Sequence, residues 1–309
     1  MEKMKNCTLF LASCDKYYQA WEPFFFFIKK HWPGFNMPVI LNTETKSFTY
    51  EGFDIKTFSL YAEGQNVPWG KRMLDHLDKV ETDYILLMLE DYFIRKDVDE
   101  KKLSRLIDLF EENEDISTFN LVYAPISCVK NKQLGDFMLR PRKGNYKFAC
   151  TGLWRVSHLK EYILPHENPW QWEVEGNYRS AFTKNRFYML KKDAEPYLDY
   201  GFNYDWMGIR KGRWVIDDVG PLFEENGLEV DFEELGVYHR PEKAHLRSRV
   251  DPTLRKRISM FLARFKPKYI KRRIETAKKY RIARQQVMSE KRNRTEEGKI
   301  VTGKSYHSG

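Results

Sequence analysis

Ile85-Leu86-Leu87-Met88-Leu89-Glu90-Asp91-Tyr92-Phe93 runs five apolar residues without polar alternation and then breaks into two adjacent carboxylates. Such an unbroken run is the pattern of a strand covered on both faces, as at the centre of a parallel α/β sheet. The two acids fall at its carboxyl end. In open α/β sheets ligands bind at that edge, where an acidic pair can hold a divalent metal or a ribose hydroxyl. An acid pair after a strand can equally cap the turn or helix that follows. Glu90 and Asp91 therefore need the company of other residues before they mark a site.

Upstream, Asn6 to Ala12 is expected as a first strand, ending at Ser13-Cys14-Asp15-Lys16. Tyr17 to Trp32 reads as a helix in which Pro23 is tolerable only in the first turn or at a kink, and Pro33-Gly34 stops it. Met37 to Leu41 and Phe53 to Phe58 are expected strands, and Trp69 to Val80 an amphipathic helix with Met73, Leu74, Leu77 and Val80 on one face. This order of elements is what a doubly wound α/β domain produces. Downstream, Asp99 looks like the N-cap of a helix carrying Leu103, Leu106, Ile107 and Phe110. Thr118 to Tyr123, Tyr146 to Cys150 and Phe187 to Leu190 are expected strands, Pro141 to Gly144 a loop, and Val156 to Ile163 a short helix. Asn168-Pro169 resembles an N-cap and first helical residue, opening a helix to Ala181.

The 309 residues, 42% hydrophobic and 15% aromatic, suffice for one large domain with an appendage. The apolar runs at Phe24-Phe25-Phe26-Phe27-Ile28 and Ile85 to Leu89 fall short of the roughly 18 residues a membrane-spanning helix needs. Ser13, Cys14 and Asp15 interrupt the N-terminal apolar stretch before it reaches signal length, so a cytoplasmic location is expected. Cys7, Cys14, Cys128 and Cys150 form no C-x-x-C pair, which argues against a disulfide scaffold or a structural zinc.

The net charge of +9 is unevenly spread: residues 247–309 hold 20 Lys and Arg against 5 Asp and Glu, the remainder 33 against 39. An acidic body with a basic tail follows. The expected division is a catalytic or binding domain over 1–246, a basic amphipathic helical tail over 247–294 and a disordered terminus over 295–309. In the tail, Leu254, Ile258, Phe261, Leu262 and Phe265 share one helical face, with Arg255, Lys256, Arg257 and Arg264 around it. Such a helix fits an anionic membrane surface, apolar face in the interface and cations on headgroups. Nucleic acid is the weaker partner, since no zinc-finger, RNP-like or helix-turn-helix signature accompanies the cations. A helix packed on the acidic body is the plain structural alternative.

Taken in order, Ser13-Cys14-Asp15, Trp69-Gly70-Lys71-Arg72-Met73-Leu74, Leu89-Glu90-Asp91-Tyr92-Phe93 and Asn168-Pro169-Trp170-Gln171-Trp172-Glu173 resemble the bacterial GT-A glycosyltransferases, family 2-like, that build surface polysaccharides. The resemblance covers residues 6 to 240. It implies a Rossmann-like, mostly parallel sheet flanked by helices, with a nucleotide-sugar donor across the ends of the first and fourth strands. Asp15 would then lie by the nucleobase and Arg72 near the diphosphate. Glu90 and Asp91 would stand in place of the family's D-x-D motif, whose acids contact the ribose and a Mg or Mn ion bridging the phosphates. Tyr92 falls where the final Asp of that motif would be, which puts metal dependence in question. The acceptor implied is a hydroxyl of a surface polysaccharide or lipid-linked glycan.

An inverting transfer needs a base for the acceptor hydroxyl. Glu173 and Glu175 are the candidates, with Trp170 and Trp172 offering flat faces to a sugar ring; Glu173 matches the resembled segment. Two solvated acids near a helix N-terminus are the bland alternative. Gly152, in Cys150-Thr151-Gly152-Leu153-Trp154, would let a backbone approach a sugar closely, or merely form a turn. His239 could ligate a metal with Asp91 or contact a phosphate, or sit at the surface with an ordinary hydrogen bond. Asp217-Asp218 is a reserve acid pair that could equally cap a helix. A sugar nucleotidyltransferase would share the frame, yet the segment after the first strand lacks the glycine of a phosphate loop. A non-catalytic, basic-tailed binding protein is the remaining class.

Overall fold

The computed structural model describes residues 3–123, 128–143, 148, 151–201, 207–240 and 275–289. The expected strand at Tyr146 to Cys150, the apolar face from Leu254 to Phe265 and the terminus at 295–309 lie outside the described residues, Phe148 excepted.

The first half follows the expected order: β1 (Cys7–Ala12), α1 (Trp21–His31), β2 (Val39–Asn42), β3 (Ile55–Lys56), α2 (Trp69–Leu77), β4 (Tyr84–Leu89), α3 (Glu100–Glu112) and β5 (Ile116–Asn120). A 3₁₀ segment, Asp15–Ala20, precedes α1, so Pro23 falls in the first α-helical turn, where its missing N–H loses nothing. Asp99 caps α3 by accepting from the Lys102 N–H at 3.0 Å. There follow β6 (Gln133–Leu134), β7 (Phe137–Leu139), β8 (Gly152–Arg155), α4 (Val156–Glu161), α5 (Pro169–Ser180) and β9 (Arg186–Leu190). α5 opens with a capping box: Asn168 Oδ1 accepts from the Gln171 N–H at 2.8 Å, and Gln171 Oε1 from the Asn168 N–H at 2.9 Å.

These strands form one nine-stranded sheet in the order β3-β2-β1-β4-β8-β5-β9-β7-β6. β1, β2, β3 and β4 are mutually parallel, whereas β8 runs antiparallel between β4 and β5. That insertion departs from the simple parallel alternation the sequence suggests. The burial of β4 is as expected and has a plain cause: Tyr84, Leu86 and Met88 pack with α1 and α3, while Ile85 and Leu87 pack with α2, α4 and Trp172 of α5. Two layers of helix thus enclose the sheet. Phe24, Phe25, Phe27 and Ile28 of α1 are buried on the first face, each contributing about 1.5–3 kcal/mol of apolar burial.

A second, three-stranded sheet holds β10 (Ile209–Arg210), β11 (Arg213–Val215) and β12 (Val237–Tyr238), with α6 (Ile216–Glu225) between the last two strands. Asp217 and Asp218 fall in the first turn of α6, where the dipole favours acids. A last helix, α7, spans 275–289. Among the described residues no helix is long and apolar enough to cross a membrane.

Candidate functional site

From β1 the chain winds outward through β2 and β3, then returns to lay β4 on the other side of β1. This reversal of strand order opens a crevice at the carboxyl ends of β1 and β4, where open α/β sheets bind ligands. Ala12 pairs with Leu89, so Ser13, Cys14 and Asp15 emerge beside Glu90 and Asp91. α2 begins at the same edge, with the Gly70 and Lys71 N–H groups donating to the carbonyls of Glu167 and Pro165 at 2.8 and 2.9 Å. A Cβ on Gly70 would lie 2.0 Å from the Leu164 carbonyl oxygen, so only glycine admits this approach. That contact sets α2 and the start of α5 side by side and carries Arg72 into the crevice.

Arg72 is 6% exposed and ion-paired with Glu44, while its Nε has no hydrogen-bond partner among the described residues. Burial lowers its pKa, and Cys14, Asp15 and Glu90 oppose that shift. Glu44 also accepts from the Asp15 N–H. The Asp15 carboxylate in turn accepts from the backbone N–H of Glu44 at 3.0 Å, of Thr45 at 2.9 Å and of Lys46 at 3.2 Å, and from the Thr45 hydroxyl at 2.6 Å. Asp15 thus clasps the loop after β2 to the end of β1.

Glu90 is buried, and its Oε2 has no partner among the described residues. Burial first, and then the neighbouring Asp91, push its carboxyl well above the usual range; a hydrogen bond from Ser13 and the charge of Arg72 pull the other way. The Ser13 hydroxyl itself accepts from the Trp21 indole N–H at 2.8 Å. Asp91 is pushed up to about 6 by burial, against a hydrogen bond from the Ile209 N–H, which reaches its Oδ2 at 2.9 Å. The Gly208 N–H donates to the Asp91 carbonyl at 3.0 Å, and a Cβ on Gly208 would lie 2.9 Å from that oxygen. Asp91 is therefore the anchor of the β10–β11 hairpin.

The expected acceptor-side residues lie on α5. Trp172 is 1% exposed and packs among Trp69, Phe148 and Trp154, so it is core and offers no face to a sugar, contrary to expectation; Trp170 is 74% exposed. Glu173 is partly exposed one turn into the helix, and Glu175 pairs with Lys279 of α7 at 2.9 Å. Gly152 starts β8 beside Leu87 and Asn120, and a Cβ there would lie 2.9 Å from the Phe119 carbonyl oxygen, so sheet packing already demands a glycine. His239 faces solvent beyond β12, its Nδ1 3.1 Å from Asp217, and no hydrogen bond or ion pair joins it to Asp91. Among the described residues no three His, Cys, Asp or Glu side chains converge as a metal site would require. Among the described residues, Tyr92 stands where a second spaced acid would fall and Asp91 is engaged by the hairpin.

Sequence reasoning missed Glu44, Lys16 and the hairpin. Glu44 follows a strand at the same carboxyl edge as Glu90, and Lys211-Gly212 between short apolar-polar pairs is a two-residue turn signal. Both signals were available.

No protein-family model matches the chain, and no curated protein matches it. Among solved structures it is similar to S. aureus TarS residues 1–349, with a TM-score of 0.41 and 14% identity over 61% of this chain and 58% of that one. The same fragment in complex with UDP gives 0.39 at 14% identity over 61% and 58%, and in complex with UDP-GlcNAc 0.36 at 14% over 62% and 60%. The chain thus spans about three fifths of the length of these TarS fragments.

Proposed function

We propose that this chain is a GT-A-type glycosyltransferase that moves a hexose-type sugar from a nucleotide-sugar donor to a hydroxyl of a surface polysaccharide or lipid-linked glycan. The supporting observation is the β1/β4 crevice, where the buried Arg72 Nε and Glu90 Oε2 both lack partners among the described residues. Buried polar groups are nearly always satisfied, so two orphans at a topological switch point mark a place that a polar ligand or water completes. In this reading the nucleoside lies along the Asp15 clasp, with the Glu90 carboxyl toward the ribose. Arg72 faces the diphosphate and offsets the negative charge that grows as the leaving group departs.

Glu173 accepts the proton of the acceptor hydroxyl as its oxygen attacks the anomeric carbon. The bond from that carbon to the diphosphate oxygen breaks, its electron pair leaves with the nucleoside diphosphate, and the configuration inverts. Glu173 is the preferred base because it matches the resembled segment; Glu175, paired with Lys279, is the second candidate. Incubation with a panel of nucleotide sugars and a polysaccharide acceptor, read as release of nucleoside diphosphate, tests the reading. Glu173→Gln should lower turnover about 10²–10⁴-fold and Glu175→Gln far less. Full turnover in Glu173→Gln would remove the base, and binding without any release would leave only a binding module.

The proposal extends to a peripheral seat on the cytoplasmic face of an anionic membrane. α7 docks on α5 and the turn after it: Tyr280 meets Tyr178 edge-on at 4.8 Å and Phe182 at 6.2 Å, and Ala283 is buried. Its outward side exposes Lys278, Arg281 and Arg284 together with Ile282 and Met288. Cations interleaved with apolar side chains suit a headgroup interface. Co-sedimentation with phosphatidylglycerol vesicles should fall on raising salt and in the Lys278→Glu/Arg281→Glu/Arg284→Glu variant; unchanged binding would exclude this surface.

A further inference from the structure

The β10–β11 hairpin lies across the crevice just described. Its base is fixed to the end of β4 through Gly208, Ile209 and Asp91, and its tip reaches the end of β1, where a Cβ on Gly212 would lie 3.1 Å from Lys16 Nζ and 3.7 Å from the Tyr17 hydroxyl. The tip thus brings the Lys16 ammonium beside the turn in which Lys211 stands. Lys16 sits over the Tyr17 ring at 5.7 Å and Lys211 over the Tyr238 ring at 5.8 Å, and neither has a carboxylate partner among the described residues. Of the nearby acids, Asp15 is engaged by the 44–46 loop, Glu44 by Arg72, Asp91 by Ile209, and Glu234 by Tyr18 and Gln19, while Glu90 is buried with one oxygen open.

The backbone adds an independent observation. Lys211 and Gly212 are the two residues of the hairpin turn, with φ of 55° and 74°. A two-residue turn with both φ positive favours Asn or Gly at its first position, and an ordinary side chain in the left-handed region carries a penalty of about 1–2 kcal/mol. A lysine stands there against the local preference. The turn geometry does not ask for it, so its charge is the reason to look for.

We propose that Lys16 and Lys211, brought together at the tip of the hairpin, hold the diphosphate of the donor, supplying with Arg72 the positive charge that a divalent metal would otherwise bring. This deepens the glycosyltransferase reading and rests on it for the identity of the ligand. Two ammonium groups and a guanidinium can neutralise a diphosphate by charge-assisted hydrogen bonds, which are the strong kind. The arrangement also gives a reason for the missing final acid of the D-x-D pattern: the carboxylate left at Asp91 anchors the hairpin that carries Lys211.

Isothermal titration of the full chain with inorganic pyrophosphate, in EDTA and then in Mn²⁺, tests this. Binding should persist in EDTA and weaken about tenfold or more in each of Lys16→Gln and Lys211→Asn. Lys211→Asn is the decisive variant, because Asn suits the turn: its thermal midpoint should stay level or rise while pyrophosphate affinity falls, and Lys211→Arg should restore affinity. Pyrophosphate binding that needs Mn²⁺, that is unchanged in both variants, or that is absent from the wild type overturns the inference. The donor reading is judged separately, by nucleoside diphosphate release, and can survive that result.

Discussion

Glu167 and Glu90 are both buried acids with an arginine at hand, and their surroundings treat them oppositely. Glu167, 2% exposed, takes a two-pronged pair from Arg179 at 2.7 Å on each oxygen, and a third bond from the Leu164 N–H at 3.0 Å. Glu90, 6% exposed, has the Ser13 hydroxyl, an adjacent like charge and one oxygen without a partner among the described residues. The first carboxylate is a brace: it ties α5 to the loop that supports α2. The second is held toward its neutral form at the mouth of a crevice, an arrangement that gives little to stability and leaves hydrogen-bonding capacity open. Satisfaction of the acid, more than burial, separates the two roles.

That contrast breaks most visibly at Arg179. Arg179→Ala strands the Glu167 charge in the interior and should destabilise the protein by about 3–5 kcal/mol in urea unfolding; a loss below about 1 kcal/mol would mean that Glu167 is no better placed than Glu90. A smaller effect is expected from Asp91 and depends on pH. Its folded pKa of about 6 lies above the unfolded value of about 3.9, so the folded state binds the proton more tightly. The resulting stabilisation is complete below about pH 4 and is lost as the pH rises through about 6. Thermal unfolding of Asp91→Asn should therefore gain on the wild type between pH 4 and 7 by on the order of 2 kcal/mol, and a constant gap across that range would contradict the assignment.

Glu90→Gln sharpens the comparison by its sign. Neutral and nearly isosteric, it should leave stability unchanged or raise it by about 1 kcal/mol while nucleoside diphosphate affinity falls, whereas Glu167→Gln should destabilise. Loss of stability in both would erase the distinction. The smallest effect belongs to Lys279→Ala, whose partly exposed pair with Glu175 should contribute less than about 1 kcal/mol. Limited proteolysis within 275–289 should report a modest loosening of α7, and wholesale release of the helix would show that the pair holds it rather than Tyr280.

Much of the fold is legible locally. The run Ile85 to Leu89 gave a central strand, Asp99 a helix start, and Asn168-Pro169 a capped α5, because each signal is carried by neighbours in sequence. β8 escaped notice: Gly152-Leu153-Trp154-Arg155 is four residues long, and its antiparallel place between β4 and β5 depends on partners far along the chain. The same limit explains Trp172. Its place beside Glu173 near a helix start suggested a flat face for a sugar ring, and only the approach of Trp69 and Phe148 shows it to be core.

By itself the sequence determined that Glu90 and Asp91 end a buried strand and that an acidic body carries a basic tail, since strand burial and charge are properties of consecutive residues. Which acid is anchored and which is left open was decided only in three dimensions. The donors that settle it, Ser13, Gly208 and Ile209, and the charge of Arg72 reach the end of β4 from elements dozens of residues away, and such interactions form only where folding brings their two ends together.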